Sequence, residues 1–239
     1  MLLSPQGQEI LARLAALDDG KAGELAVGVA LRREYPADLV AAATAQHELR
    51  LAARAKFSRA MDMLFTRDGY EQSSAELIAR HRAARFADAR RVADLCCGIG
   101  GDLIALAAGA AGAADAAGAA DAAGAADAPA PLAAAVPDPT TVAAPPAARE
   151  ALAIDMDAVH ARLAAHNARV YDVPARVRAC VADVCDIRLA GIDAVFIDPA
   201  RRAGQRRFRA GVSQPPLQWC LSLPERVPAV CVKIGRAHV

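Results

Sequence analysis

The chain of 239 residues carries 28 Lys and Arg against 27 Asp and Glu, and its formal net charge of +1 offers no global attraction to nucleic acid or to a membrane surface. Its hydrophobic content of 55% overstates the core, because Ala dominates it and aromatic residues make up only 4%. No basic-then-apolar leader opens the sequence and no run of about 18 apolar residues is free of charge, Gly and Pro, so a soluble, cytoplasmic protein without a membrane partner is expected.

Residues 1–86 read as helices. Leu11, Leu14, Ala15 and Leu17 keep helical spacing, and "ADLVAAATAQHELRLAARAKFSRAMDMLF" extends the pattern. Helices are predicted near 6–16, 37–63 and 74–86, the last opened by Ser73 with Glu76 three residues on, the pattern of a capping box. This makes 1–86 an N-terminal helical domain, followed over 87–233 by a second domain.

From Arg90 the period changes. "RRVADLCC" (90–97), "ALAID" (151–155), "RVRACVAD" (176–183), "IDAVFID" (192–198) and "PAVCVKI" (228–234) are short apolar runs suited to buried parallel strands. Helical segments "DLIALAAG", "DAVHARLAAHNARVYD" and "PPLQWCLSL" lie between some of them. Strands alternating with helices predict an α/β fold with a doubly wound, Rossmann-like parallel sheet of five strands. Residues 109–148 interrupt the pattern with three copies of "AAGAAD" and a Pro-rich tract. A helix-to-strand connection usually takes about 2–6 residues, so this low-complexity stretch reads as an insertion without a functional role.

The six cysteines, Cys96, Cys97, Cys180, Cys185, Cys220 and Cys231, form no CxxC, and no His stands at zinc-ligand spacing. No metal is expected, and Cys96-Cys97 reads as a pair of small buried residues. His81, His160 and His166 read as ordinary helix residues.

"VADLCCGIGGDL" (92–103) runs from a strand through glycines into a helix. A Walker loop needs Gly-Lys-Ser/Thr, and no Lys lies between Lys56 and Lys233. A dinucleotide fingerprint starting at Gly98 requires Gly where Leu103 stands. What remains is acid-x-x-x-Gly-x-Gly, with Asp94, Gly98, Gly100 and the adjacent Gly101. Asp155, Asp183 and Asp198-Pro199 follow at the ends of the next three strands. Four acids at strand ends line one crevice, the ligand position of open α/β sheets.

That order resembles the class I methyltransferases that use S-adenosylmethionine (SAM). Within them, "DLCCGIGGD", "AIDMDAVHARLAAHNARVY" and the upstream "DGYEQSSAELIARHRA" resemble the trimethylguanosine-synthase type, the RNA cap guanine-N2 methyltransferases and their bacterial relatives. The chain also resembles a bacterial methyltransferase group with a THUMP-like C-terminal domain. The resemblance covers about residues 1–108 and 149–233. It implies SAM as cofactor, with Asp94, Gly98, Gly100 and Gly101 at the methionine end, Asp155 at the ribose, Asp183 at the adenine, and Asp198 with Pro199 at the site of methyl transfer to a base amine. Amino-methyltransferases usually follow Asp/Asn/Ser-Pro-Pro with an aromatic residue that stacks on the base, whereas this chain reads Asp198-Pro199-Ala200-Arg201, which offers the Arg201 guanidinium for stacking instead. Phe208 and Trp219 are alternative aromatic faces, or core residues.

Two Arg clusters point to RNA as partner: Arg201, Arg202, Arg206, Arg207 and Arg209 after the fourth strand, and Arg80, Arg82, Arg85, Arg90 and Arg91 before the first. Solvated faces are the alternative reading. Methylation of a small molecule or protein, and a catalytically inert SAM-binding fragment, are the alternative functions. Full sheets of this class have seven strands and this one stops after five. "IGRAHV" (234–239) matches the translation of a common sequencing adapter, so a non-native tail after Lys233 and a missing C-terminal part are expected.

Overall fold

The computed structural model describes residues 1–16, 21–109, 149–173, 176–200, 202–203, 206–207 and 213–234. The repeat segment from 110 to 148 and the tail from 235 to 239 lie outside the described residues, as do Arg201, Phe208 and Arg209. Among the described residues, no helix is long and apolar enough to cross a membrane.

Strands β1 (Arg91–Leu95), β2 (Glu150–Asp155), β3 (Arg176–Val181), β4 (Ala194–Ile197) and β7 (Ala229–Val232) form one parallel sheet in the order β3-β2-β1-β4-β7. All five expected strands are present. Two further strands, β5 (Arg202–Ala203) and β6 (Arg206–Arg207), which follow β4 in sequence, make a separate antiparallel pair. The chain builds outward from β1 to β3 and then returns to the other side of β1, so the order reverses between β1 and β4. The carboxyl ends of these two strands open the crevice where such sheets take their ligands.

Alternate residues of the strands serve opposite faces. Val92 and Phe196 join Leu103, Leu106, Ala164 and Ala168 on one side. Ala93, Leu95, Val195 and Ile197 meet Cys220 and Leu223 on the other. The helices responsible are α6 (101–109), α7 (Ala158–Val170) and α8 (Leu217–Ser222). Covering both faces is what allows a strand such as β4 to be buried at every position.

The N-terminal segment is helical, with differences from expectation. Helix α1 (Pro5–Ala15) starts at Ser4, whose hydroxyl accepts the Gly7 N–H at 3.2 Å. A helix α2 (Lys21–Glu34) was not expected, since Gly23 and Gly28 weaken its propensity; Leu31 secures it against Ile10, Leu14 and Val40. Helix α3 (Ala37–Ala53) stops ten residues before the expected end at 63. Residues 54–63 instead fold back in turns, closed by Arg50, whose Nε donates to the Met63 carbonyl at 2.8 Å. Phe57, Ala60 and Met63 are thereby buried against Ile99 and Ile104, a packing that overrides helix propensity. Helices α4 (Arg67–Gln72) and α5 (Glu76–Ala83) follow. The capping box is absent: Ser73 closes α4, α5 starts after Ala75, and Glu76 accepts from Ser58 and Tyr171.

Gly109 and Arg149, the residues flanking 110–148, are neighbours. A Cβ at Gly109 would stand 2.9 Å from the Arg149 guanidinium. Arg149 is fixed there by donating to the Leu106, Phe86 and Ala87 carbonyls at 2.8, 2.8 and 2.6 Å. Replacing 110–148 by a short Gly/Ser turn is therefore expected to preserve the fold. Reduced loop-closure entropy should stabilise it by about 1–2 kcal/mol. Thermal melting of the deletion variant checks this, and loss of soluble protein would assign the segment a structural role.

Candidate functional site

After Leu95 the backbone turns sharply: Cys96, Gly98 and Gly100 take φ of 61°, 52° and 86°. The two glycines serve different ends. Gly100 faces α7 so closely that a Cβ would lie 2.9 Å from the Ala164 Cα, so it sets helix–sheet packing. A Cβ on Gly98 would meet nothing within 4 Å, so open space lies in front of that turn. Gly101 begins α6 beneath Ser73 and Ser74.

Side chains from α7 and β2 lock this turn. Asp155 accepts the Gly98 N–H on one carboxylate oxygen and the Asp157 N–H on the other, both at 2.9 Å. Asn167, fully buried on α7, accepts the Leu64 N–H at 2.9 Å and donates to the carbonyls of Leu64 and Ile99 at 2.9 and 2.8 Å. One amide thus joins the turn to the chain that leads into α4.

Acids gather at the crevice. Asp94 is 1% exposed and neither of its carboxylate oxygens has a hydrogen-bond partner. Burial, then the charges of Asp102, Asp198 and Asp155, push its carboxyl well above the usual carboxylate range, against a partial pull from Lys233. Asp198 stands at the tip of β4, held by the Lys233 ammonium from the tip of β7. Asp102 is raised by burial despite its ion pair with Arg82 at 2.8 Å. Asp183 lies beyond β3, where it accepts the Cys185 N–H at 2.9 Å. Asp155 and Asp198 thus act on Asp94, and Asp183 follows close to Asp155, whose carbonyl accepts the Ala182 N–H at 3.1 Å. Cys96 and Cys97 are free thiols pushed up by burial and by the neighbouring acids, which makes them poor nucleophiles.

Residues 66–83 cross over the glycine turn. A Cβ on Gly69 would stand 2.3 Å from the Ile99 side chain. Lys56 fixes this crossing by donating to the carbonyls of Tyr70 and Ser73 at 2.6 and 3.1 Å. Ser74 donates to Asp102 at 3.1 Å and accepts from Arg82, whose guanidinium lies 5.2 Å from the centre of the Phe196 ring. His160, read from the sequence as an ordinary helix residue, meets Thr66 Oγ1 at 3.1 Å and lies 3.9 Å from Asp155.

The Arg cluster before β1 is largely engaged within the chain. Arg80 pairs with Glu76, Arg82 with Asp102, and Arg91 with Glu150. In the second cluster, Arg202 stands opposite Arg207 in the β5–β6 register and Ala203 opposite Arg206. Trp219 packs against the core beneath β4, with Arg226 over its ring. Among the described residues, no group of three or more His, Cys, Asp or Glu is arranged to hold a metal ion.

A family model described as a domain of unknown function (DUF8688) matches residues 1–53. No curated protein matches the chain. Among solved structures, the chain is similar to a candidate methyltransferase from Porphyromonas gingivalis W83, with 18% identity and a TM-score of 0.58 over 98% of this chain and 50% of that one. That likeness shows the Rossmann-like fold, and the chain spans about half the length of the structure it matches. A second structure, the 16S rRNA methyltransferase RmtF in complex with S-adenosyl-L-homocysteine, aligns with 20% identity over 81% of this chain and 69% of that one. Its TM-score is 0.27, too low to bear on the fold.

Proposed function

We propose that the chain is a SAM-dependent methyltransferase acting on RNA, with a base amine as acceptor. The observation that carries this reading is Asp94, a buried carboxyl without a partner, beside a glycine turn with open space in front of Gly98. These features fit a ligand with a cationic amino-acid end. In this reading Asp94 receives the α-ammonium, and Gly98, Gly100 and Gly101 form the turn that the methionine end approaches. Each Asp155 oxygen keeps a lone-pair site for the ribose hydroxyls, while Asp183 takes the adenine amino group. The cofactor supplies an electrophilic methyl group on a sulfonium. Asp198 and the Pro199 carbonyl accept the N–H groups of the acceptor amine, turn its lone pair toward that methyl, and Asp198 takes the proton released. Arg201, Arg202, Arg206, Arg207 and Arg209 hold RNA phosphates beside the acceptor.

Calorimetry is expected to detect SAM binding and no NAD binding. Asp155→Ala should weaken SAM by about 1.5–3 kcal/mol, the range for hydrogen bonds to a charged group. Unchanged affinity in that variant would overturn the cofactor assignment. Methyl transfer from labelled SAM into fractionated RNA tests the substrate class.

A further inference from the structure

Asp94 lies among charges from four neighbouring elements. Asp102 faces it from α6, Asp155 from the tip of β2, Asp198 from the tip of β4 and Lys233 from the tip of β7. Lys233 is paired with Asp198 and Arg82 with Asp102, so each cation is already shared with another acid. The neighbouring thiols Cys96 and Cys97 are themselves pushed up and bring no countercharge. His160 stands against Asp155 and Thr66, and Lys56, which feels the Lys233 charge, donates to the Tyr70 and Ser73 carbonyls. Asp94 is 1% exposed and neither carboxylate oxygen accepts a hydrogen bond, so in the ionised form it would carry the desolvation cost of a buried, unpaired charge.

We infer that Asp94 holds a proton in the empty protein and releases it when the α-ammonium of SAM settles beside it, so that cofactor binding and proton release are one event. The inference rests on the proposed function. The carboxyl O–H bond breaks, its proton passes to solvent, and the carboxylate accepts from the ammonium N–H groups in its place. No oxidant or further reactant takes part. S-adenosylhomocysteine keeps the ammonium, so the product holds Asp94 ionised until it leaves. A thioadenosine without the amino-acid end brings no cation and leaves the proton where it is.

The linkage has opposite signs in the two states. Folded, empty protein binds a proton that the unfolded chain has released, so its stability falls as pH rises from the ordinary carboxylate range through the raised one. Across the same window the affinity for SAM rises, by up to tenfold per pH unit.

Titration calorimetry of the full chain at pH 6.5, in phosphate and in imidazole, reads the proton directly. SAM and S-adenosylhomocysteine are each expected to release about one proton, seen as a binding enthalpy that follows the buffer's ionisation enthalpy. 5′-Methylthioadenosine should release none, and Asp94→Asn should bind SAM more weakly without proton release. SAM binding with a buffer-independent enthalpy overturns this inference alone, as does equal release by methylthioadenosine or by the Asn variant. Absence of any SAM binding overturns the proposed function and this inference with it. The arms with unaltered protein do not depend on the variant folding.

Discussion

Asp198→Ala is expected to lower kcat for methyl transfer to RNA by about 10²–10⁴-fold, the contribution of a positioned acid–base group, while SAM and RNA still bind. The carboxylate stands at the tip of β4, beside the switch point, and in the proposed mechanism its interaction with the acceptor strengthens as the amine gives up its lone pair. Loss of an interaction made mainly in the transition state falls on kcat. Asp198→Ala also leaves the Lys233 ammonium without its partner. Asp198→Asn keeps the shape and a hydrogen-bond acceptor, so equal losses in the two variants would assign the effect to the lost charge. The Arg pair should fail differently. Arg206→Ala with Arg207→Ala is expected to weaken RNA binding and reduce the salt slope by about 0.7 log units for each single-strand phosphate no longer neutralised, with SAM affinity unchanged. An Asp198→Ala enzyme that turns over at the parental rate would remove the residue from the mechanism. Unchanged RNA affinity and salt slope in the Arg variant would make β5–β6 a solvated face.

The sheet was legible because parallel strands covered on both faces leave continuous apolar runs, and an Asp stands near or just beyond the end of each of the first four. Leu103 and the missing Lys narrowed the ligand class by exclusion. The limit of α3 was not legible. Phe57, Ala60 and Met63 keep a spacing that a helix and a run of turns satisfy equally. The deciding interaction is Arg50 reaching the Met63 carbonyl, a relation that exists only after folding. The Ser73 and Glu76 pattern failed because Glu76 finds Ser58 and Tyr171 in space instead of the local backbone. At the site, Asp102, Arg82 and Lys233 come from three separate elements, and no spacing announces their pairing. Asn167 did carry a signal, a poor helix former within an Ala-rich helix.

Asn167→Leu is expected to cost about 3–5 kcal/mol of folding stability. The side chain is fully buried, and its amide meets three backbone groups: the N–H and C=O of Leu64 and the C=O of Ile99. Leucine fills a similar volume but leaves all three groups buried without partners, at about 1–3 kcal/mol each before relaxation. Local rearrangement recovers part of that sum. The damage should also be functional, because Ile99 lies inside the glycine turn and Leu64 leads into the crossing segment that ends over α6. A loosened turn no longer holds Gly98 against Asp155, so SAM affinity should fall in the same variant although Asn167 is assigned no contact with the cofactor. Asn167→Asp separates packing from hydrogen bonding. It keeps the acceptor for Leu64 N–H but turns an oxygen toward two carbonyls, and should be at least as destabilising. Urea denaturation of the three proteins at one pH measures the costs, and calorimetry with SAM measures the coupling. A Leu variant within about 1 kcal/mol of the parent, inside the ordinary cost of a single hydrogen bond, would mean that the crossing segment and the glycine turn are held together by the packing of Phe57, Met63 and Ile99 alone.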